Sequence, residues 1–492
     1  MIGRDWGKDR NRVVAAVRWI RRRVSRLGVL TLWSLLLAGC DPTALPPSDA
    51  LALTNVRVLD GNGGPVLDDI TIVIQYGRIA QLGPASVVAI PVNARRHDLT
   101  GRVVTPGFID MHYHVTTGAM RYRRDSAGSL DSAYDRGLAE RLLRVALSRG
   151  ITTIRDPGAS PLEPAVALRE AVDSGRVVGP RIFTAGPIIN DPGLTETEMR
   201  REIEAQAIGG VDFIKLYSGI GPELLRVAVD EAHRRRLRVI GHLQRTSWTE
   251  AAEAGIDFLT HGGNWHPAYV RPDRRVQYEK LGGSMRARIS WLEWLDLEGP
   301  AMDSLLDLLR ERRVSVDPTL VAYHTKFWWR DSVYQRDPDA ALVPEVLENW
   351  KVLGMPTSEW SRGEFDRAQA AWPRMLALVG SFYRKGVHLT AGSDLASPWV
   401  IPGIAFHQEL ALLESAGIPR PEVLRLATRN GAEALGIDRQ TGTVELGKRA
   451  DLVVLEADPL LDLANTRRIL YVVLGGRLFR PEELLSEPSG VR

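Results

Sequence analysis

Two histidines one residue apart interrupt an apolar run at residues 109–115, IDMHYHV. Side chains alternate faces along a strand, so His112 and His114 project to one side and Tyr113 to the other, into the layer behind the strand. Two imidazoles converging on one point suit a metal ion better than a hydrophobic core. An H-x-H pair alone is a weak signal. It gains weight because further donors recur at the ends of later strand-like runs: Lys215 in DFIKLYSG, His242 in VIGHLQ, His261 in FLTHGG and Asp394 in LTAGSD. Four His, one Lys and one Asp make a hard-to-borderline nitrogen and oxygen donor set, the kind that holds divalent cations.

Such donors need a scaffold that brings distant segments to one place. Eight strand candidates, FIDMHYHV, ITTIRDPG, PRIFTAG, VDFIKLYSG, LRVIGHLQ, DFLTHGG, VSVDPTLV and VHLTAGSD, are mostly separated by helix-compatible stretches such as AERLLRVALSRG. Eight βα repeats predict an α/β fold, a (β/α)8 TIM-like barrel over residues 106–437 with its chemistry at the carboxyl ends of the strands. Residues 51–105 and 438–482 alternate β-branched residues with Gly/Asn turns, which predicts a small β-sandwich domain built from both chain ends. GNGG near residue 61 is a turn without the strand-to-helix context of a phosphate loop. Residues 265–380 exceed one crossover and predict an insertion over the barrel mouth. Its many tryptophans are read mainly as helix packing.

Hydrophobic residues make up 44% and charged residues 25% of the 492, ordinary for a globular enzyme. The net charge of +3 is concentrated at one end: residues 1–27 carry nine Lys/Arg against two Asp, which leaves about −4 for the rest. No basic surface remains to suggest nucleic acid. The basic stretch RWIRRRVSRL precedes an uncharged run ending in LAGC, too short to span a bilayer but suited to a signal-peptide core. LAGC resembles the bacterial lipobox, which implies lipidation of Cys40, the chain's single cysteine, with residues 1–40 as signal peptide and 41–50 as a Pro-rich tether. Asp41 resembles an inner-membrane retention signal. The expectation is a lipid-anchored protein of the bacterial cell envelope, facing the periplasm or exterior.

The motifs VVTPGFIDMHYH, GITTIRDPG, FIKLY, GIDFLTHG, TAGSD and TGTVELGKRADLVVLEADPL occur in the order seen in the amidohydrolase superfamily, which the chain resembles from residue 51 to about 480. The likeness is strongest to imidazolonepropionase-like and prolidase-like members. It implies a distorted (β/α)8 barrel and two divalent metal ions, expected to be zinc. His112, His114 and Asp394 would hold one, His242 and His261 the other, and Lys215 would bridge them as a CO2-derived carbamate. Physics favours that last role, because a free ammonium beside two dications is repelled whereas a carbamate is a bridging anion. Relatives without this lysine work with one metal.

The implied reaction is hydrolysis of a C–N amide bond, peptide-like or in an N-acyl amino acid, by water activated between the cations, with Asp394 as general base and then acid. The alternatives are a cyclic amide, a lactone or a phosphoester. A deaminase fits the bridging lysine poorly, and a non-catalytic binding lipoprotein fits the full ligand set poorly. Tyr217 shares a strand face with Lys215 and would donate to a substrate carbonyl or simply pack. Arg155 would bind a substrate carboxylate or pair with Asp156 or another rim acid. His266 is placed at the pocket edge. His324 and His407 are read as structural, and His97 and His233 as surface residues. The expected partners are a small-molecule substrate and a membrane reached through Cys40, and a homo-oligomer is left open.

Overall fold

The computed structural model describes residues 50–486, so Cys40 and the expected leader lie outside the described residues. The first strands fold on themselves because their apolar positions are nearly continuous. β1 (Leu51–Val58) pairs antiparallel with β2 (Leu67–Gln75), and β2 with β3 (Arg78–Pro84). The β2–β3 hairpin turns on Tyr76 and Gly77, both at positive φ (51° and 72°), as a tight hairpin turn requires. A side chain on Gly77 would lie 2.8 Å from the Gly475 carbonyl oxygen, so the turn also needs glycine for the close approach of a second hairpin.

β4 (Arg95–Asp98) and β5 (Val103–Pro106) pair parallel with β1. Antiparallel pairing of β5 with a strand from the far end of the chain, Leu452–Leu455, continues the sheet. One eight-stranded sheet results from the two chain ends, with its own core of Leu51, Leu53, Val56, Ile72, Val104, Leu452 and Val454.

The eight strands expected between these ends are all present: β6 (Phe108–Asp110), then, after a two-stranded hairpin of β7 (Met120–Arg124) and β8 (Leu130–Tyr134), β9 (Ile151–Asp156), β10 (Arg181–Thr184), β11 (Phe213–Leu216), β12 (Arg238–Gly241), β13 (Phe258–Thr260), β14 (Ser315–Asp317) and β15 (His388–Leu389). They run parallel in two arcs, β10-β9-β6 and β11-β12-β13-β14-β15. Parallel bridges Ala185↔Phe213 and Tyr113↔Leu395 join the arcs at both seams and close the barrel. The barrel strands are almost wholly buried and rich in Val, Ile, Leu and Phe, as strands covered on both faces must be. The amphipathic helices Arg136–Ser148 and Pro222–Arg234 bury Leu142, Leu143, Leu225 and Val229.

The expected insertion at 265–380 is not one uninterrupted cap. Helix Pro300–Glu311 and β14 fall inside it and complete a βα repeat, because SVD is a buried strand flanked by a regular amphipathic helix. The additional helices lie on either side, including Met285–Trp294, Leu320–Trp328 and Pro344–Leu353. Trp265, Trp291, Trp350, Trp360 and Trp372 are buried there, in the packing role expected of them.

Candidate metal centre

His112, His114, His242, His261 and Asp394 lie just beyond barrel strands, tied by backbone hydrogen bonds to neighbouring ones, while Lys215 lies within β11. β6 ends at Asp110, so the two histidines occupy its extended continuation. The Asp394 N–H donates to the His112 carbonyl (2.7 Å), Tyr113 N–H to Arg155 (2.9 Å), His242 N–H to Leu216 (3.0 Å) and His261 N–H to Asp317 (2.8 Å). The His112 and His114 rings lie 5.1 Å apart on one side, while the Tyr113 hydroxyl donates to the Leu142 carbonyl on the other. His261, Asp394 and Thr319 adopt positive φ (76°, 59° and 47°), a backbone state concentrated at functional sites.

The imidazole nitrogens and the Asp394 carboxylate converge. One ligand atom each from His112, His114 and Asp394 fall within 4.8 Å of one another. His112 Nε2 lies 3.3 Å and His114 Nε2 3.8 Å from Asp394 Oδ1. His112 Nδ1 stands 2.5 Å from Asp317 Oδ2 and His114 Nδ1 3.3 Å from the Gly158 carbonyl. Both partners are acceptors, so each Nδ1 carries the proton and each Nε2 presents its lone pair to the cluster. Beside them His261 Nε2 faces His242 Nδ1 at 2.5 Å, with His261 Nδ1 on Thr319 Oγ1 (2.8 Å). The His112 and His261 rings are 5.2 Å apart, so the two groups adjoin.

Burial pushes His112, His242 and His261 well below the usual imidazole range, with Lys215 acting in the same direction. They are therefore neutral imidazoles rather than cations. Lys215 is itself buried. Its Nζ has a long contact to Thr260 Oγ1 (3.4 Å), and burial brings the amine down to about 7, against the pull of Asp317. A partly neutral amine is the form that adds CO2. Neutral imidazoles aimed at one another, a carboxylate among them and a desolvated lysine are the donor chemistry of a cation pair, and these residues fit it.

Arg155 requires a correction. It is 0% exposed, its Nη2 donates to Asp317 Oδ1 (2.7 Å) and its Nε to the Met111 carbonyl (2.7 Å). It faces inward under the site, over the Phe258 ring, and is closed to a substrate carboxylate. Of the two roles foreseen the ion pair holds, with Asp317 as the other rim acid. Tyr217 packs against the His242 ring with centroids 4.1 Å apart and planes tilted by 37°, its phenol pushed up to about 12 by burial and so kept as a donor. His266 lines a cavity of about 400 Å3 with Ser218, Gln244 and Trp265, on the loops after β11, β12 and β13. His407 bonds Thr466 and the Arg149 carbonyl, and His324 stacks on Trp328 at 4.2 Å. His233 is paired with Asp257 and His97 packs on Tyr471.

Sequence reading passed over Asp317, which orients His112 and neutralises Arg155, and Thr319, which orients His261. It also passed over Glu409, which accepts from the Val321 N–H (2.7 Å) and holds the start of the helix that follows them. Asp317 ends an apolar strand as the chosen residues do, and that signal was available. Gly392 is equally tight: a Cβ there would come 2.8 Å from that of His112. Gly392→Ala is expected to cost ~1–3 kcal/mol by overpacking and to displace His112. Thermal unfolding and metal titration would show both effects, and wild-type values in both would refute the contact.

Amidohydrolase family profiles match residues 103–269 and, separately, 277–479. The chain belongs to the amidohydrolase superfamily. Among curated amidohydrolase relatives it is 26% identical to an imidazolonepropionase of Cereibacter sphaeroides over 437 residues, 84% of this chain and 95% of that one. It is 28% identical to the enamidase of Eubacterium barkeri over 195 residues, 37% of this chain and 46% of that one. Among solved structures, a putative prolidase from Bifidobacterium longum superposes with a TM-score of 0.64 at 24% identity, covering 88% of this chain and 95% of the other. A Xaa-Pro dipeptidase with bound methionine gives 0.62 at 21%, covering 87% and 99%. This amidohydrolase is an enzyme of the hydrolase class, with a His112–His114–Asp394 cluster at its barrel rim whose donor atoms are close enough to share a metal ion.

Proposed function

We propose that the enzyme hydrolyses the amide C–N bond of a small peptide-like or N-acyl amino acid substrate, with two divalent cations, zinc being the best suited. The observation that carries this reading is the convergence of His112, His114 and Asp394 within 4.8 Å beside the facing His242–His261 pair. His112, His114 and Asp394 would hold one cation, His242 and His261 the other, and Lys215 would bridge them as a carbamate. Cations held there supply Lewis acidity and lower the pKa of water. The protein's own residues do the rest. Asp394 accepts the proton of the attacking water and returns it to the leaving nitrogen. Ser397 Oγ donates to Asp394 Oδ2 (2.9 Å) and fixes the carboxylate, while the Tyr217 phenol donates towards the scissile carbonyl.

Metal analysis of the purified enzyme, combined with a screen of dipeptides, N-acyl amino acids, lactones and phosphoesters, tests the reading. Turnover of lactones or phosphoesters with no amide cleaved would reject it. Lys215→Ala is expected to reduce bound cation from about two per chain to about one or fewer. Full metal content in that variant would remove the bridging role.

Cys40, outside the described residues, is proposed as a lipid anchor to the cell envelope on the strength of LAGC and the preceding apolar run. Cys40→Ser should release the enzyme from membranes, and unchanged fractionation would refute the anchor.

A further inference from the structure

Two basic side chains near the metal centre lack the acidic partner that such positions ordinarily demand. Lys326, on helix Leu320–Trp328, is 9% exposed, and its Nζ donates only to the Ala322 carbonyl of its own helix (2.7 Å). Arg288, on helix Met285–Trp294, gives Nη1 to the Tyr323 hydroxyl (3.3 Å), and its buried Nε makes no hydrogen bond within the protein. Among the described residues neither forms an ion pair with a carboxylate.

Tyr323 brings both cations to the rim. Its ring lies edge-on 5.8 Å from the His261 ring, with Lys326 Nζ 4.9 Å and Arg288 Cζ 5.8 Å from its centroid. Trp265 packs against Tyr323 at 5.2 Å and carries the Arg288 guanidinium at 5.4 Å. Lys326 and Arg288 thus stand one aromatic ring from a metal-site histidine and repel each other. Burial and Arg288 both pull the Lys326 ammonium down, to about 8. Asp394 is the carboxylate that acts on Lys326, but its oxygens face His112, His114 and Ser397. A fold that gathers a buried ammonium and a half-buried guanidinium without a paired carboxylate leaves a charge deficit that an incoming anion relieves.

We propose that Lys326 and Arg288, grouped around Tyr323 beside His261, form an anion subsite that receives a carboxylate of the substrate. A guanidinium fork and an ammonium together match a planar carboxylate. In an N-acyl amino acid that group is two bonds from the amide nitrogen, short enough to lie beside the reacting bond. The proposal deepens, and rests on, the amide-hydrolase reading. It places selection in side chains of the inserted helices rather than in the barrel.

The test uses the full chain loaded with zinc and two probes whose sulfonamide bond resists hydrolysis: N-methanesulfonyl-L-leucine and its carboxamide. Calorimetry should find the free acid bound about tenfold or more tighter than the carboxamide, the scale of a charge-assisted pair. Lys326→Met and Arg288→Met should each erase most of that ratio at wild-type zinc content, and Lys326→Arg should keep it. Equal affinities in the wild type, no binding of either probe, or a ratio preserved in both Met variants would overturn the subsite. Phenyl phosphate binding more tightly than the free acid would overturn the carboxylate assignment. Cleavage of charged and neutral amides alike would leave the amide reading standing and remove the subsite. Tight binding of the acid probe with no amide cleaved in the screen would do the reverse.

Discussion

Asp394→Asn is expected to lower kcat by roughly 10^3-fold, the scale of a lost general base and acid. Asparagine tolerates the left-handed backbone (φ 59°) that Asp394 adopts, so the loop should keep its path. The amide can still face His112 and His114, but it cannot take a proton from water or hand one to the leaving nitrogen. It is also a poorer ligand than a carboxylate, so metal content should fall with the rate. Steady-state kinetics beside metal analysis separates the two effects, since saturating zinc should restore occupancy before it restores turnover. A kcat within about tenfold of wild type at full occupancy would contradict the proton-transfer role.

Asp317→Asn should be the most destabilising of the proposed substitutions, by ~3–5 kcal/mol in denaturant unfolding. Asp317 is 1% exposed and shares its two oxygens between Arg155 and His112. Neutralising it strands the Arg155 guanidinium without compensating charge and frees the His112 ring to rotate. Loss of such an orienting carboxylate also weakens metal binding by ~10–100-fold. Arg155→Met added to Asp317→Asn should recover stability but not metal affinity, because it removes the stranded charge and leaves His112 unheld. Recovery of both would mean that Asp317 acts on the centre only through the fold.

The barrel was legible because its strands are short apolar runs that each end in one polar residue, and those residues fall in a regular order. His112, His114, Lys215, His242, His261 and Asp394 could be chosen that way. Asp317 bears the same mark, but nothing local distinguishes a carboxylate that orients a ligand from one that caps a loop. Arg155 was ambiguous for a related reason: only the three-dimensional neighbourhood shows that β9 turns it under the site towards Asp317. Thr319, Glu409, Arg288 and Lys326 were not legible, since their roles arise from helices placed over the rim by long-range packing. β14 itself was legible, as VSVDPTLV, but the helices inserted on either side of it were not, because long-range packing places them.

The pairing of β5 with Leu452–Leu455 has a consequence for how the chain comes into being. Val104 meets Val454, so the amino-terminal strands present an open, apolar edge until residues 452–455 have been synthesised. Every barrel strand emerges in that interval. The sheet therefore acts as a late clasp: the molecule is exposed to edge-to-edge aggregation until that segment emerges, and a chain cut short before residue 452 would lack the segment that closes it.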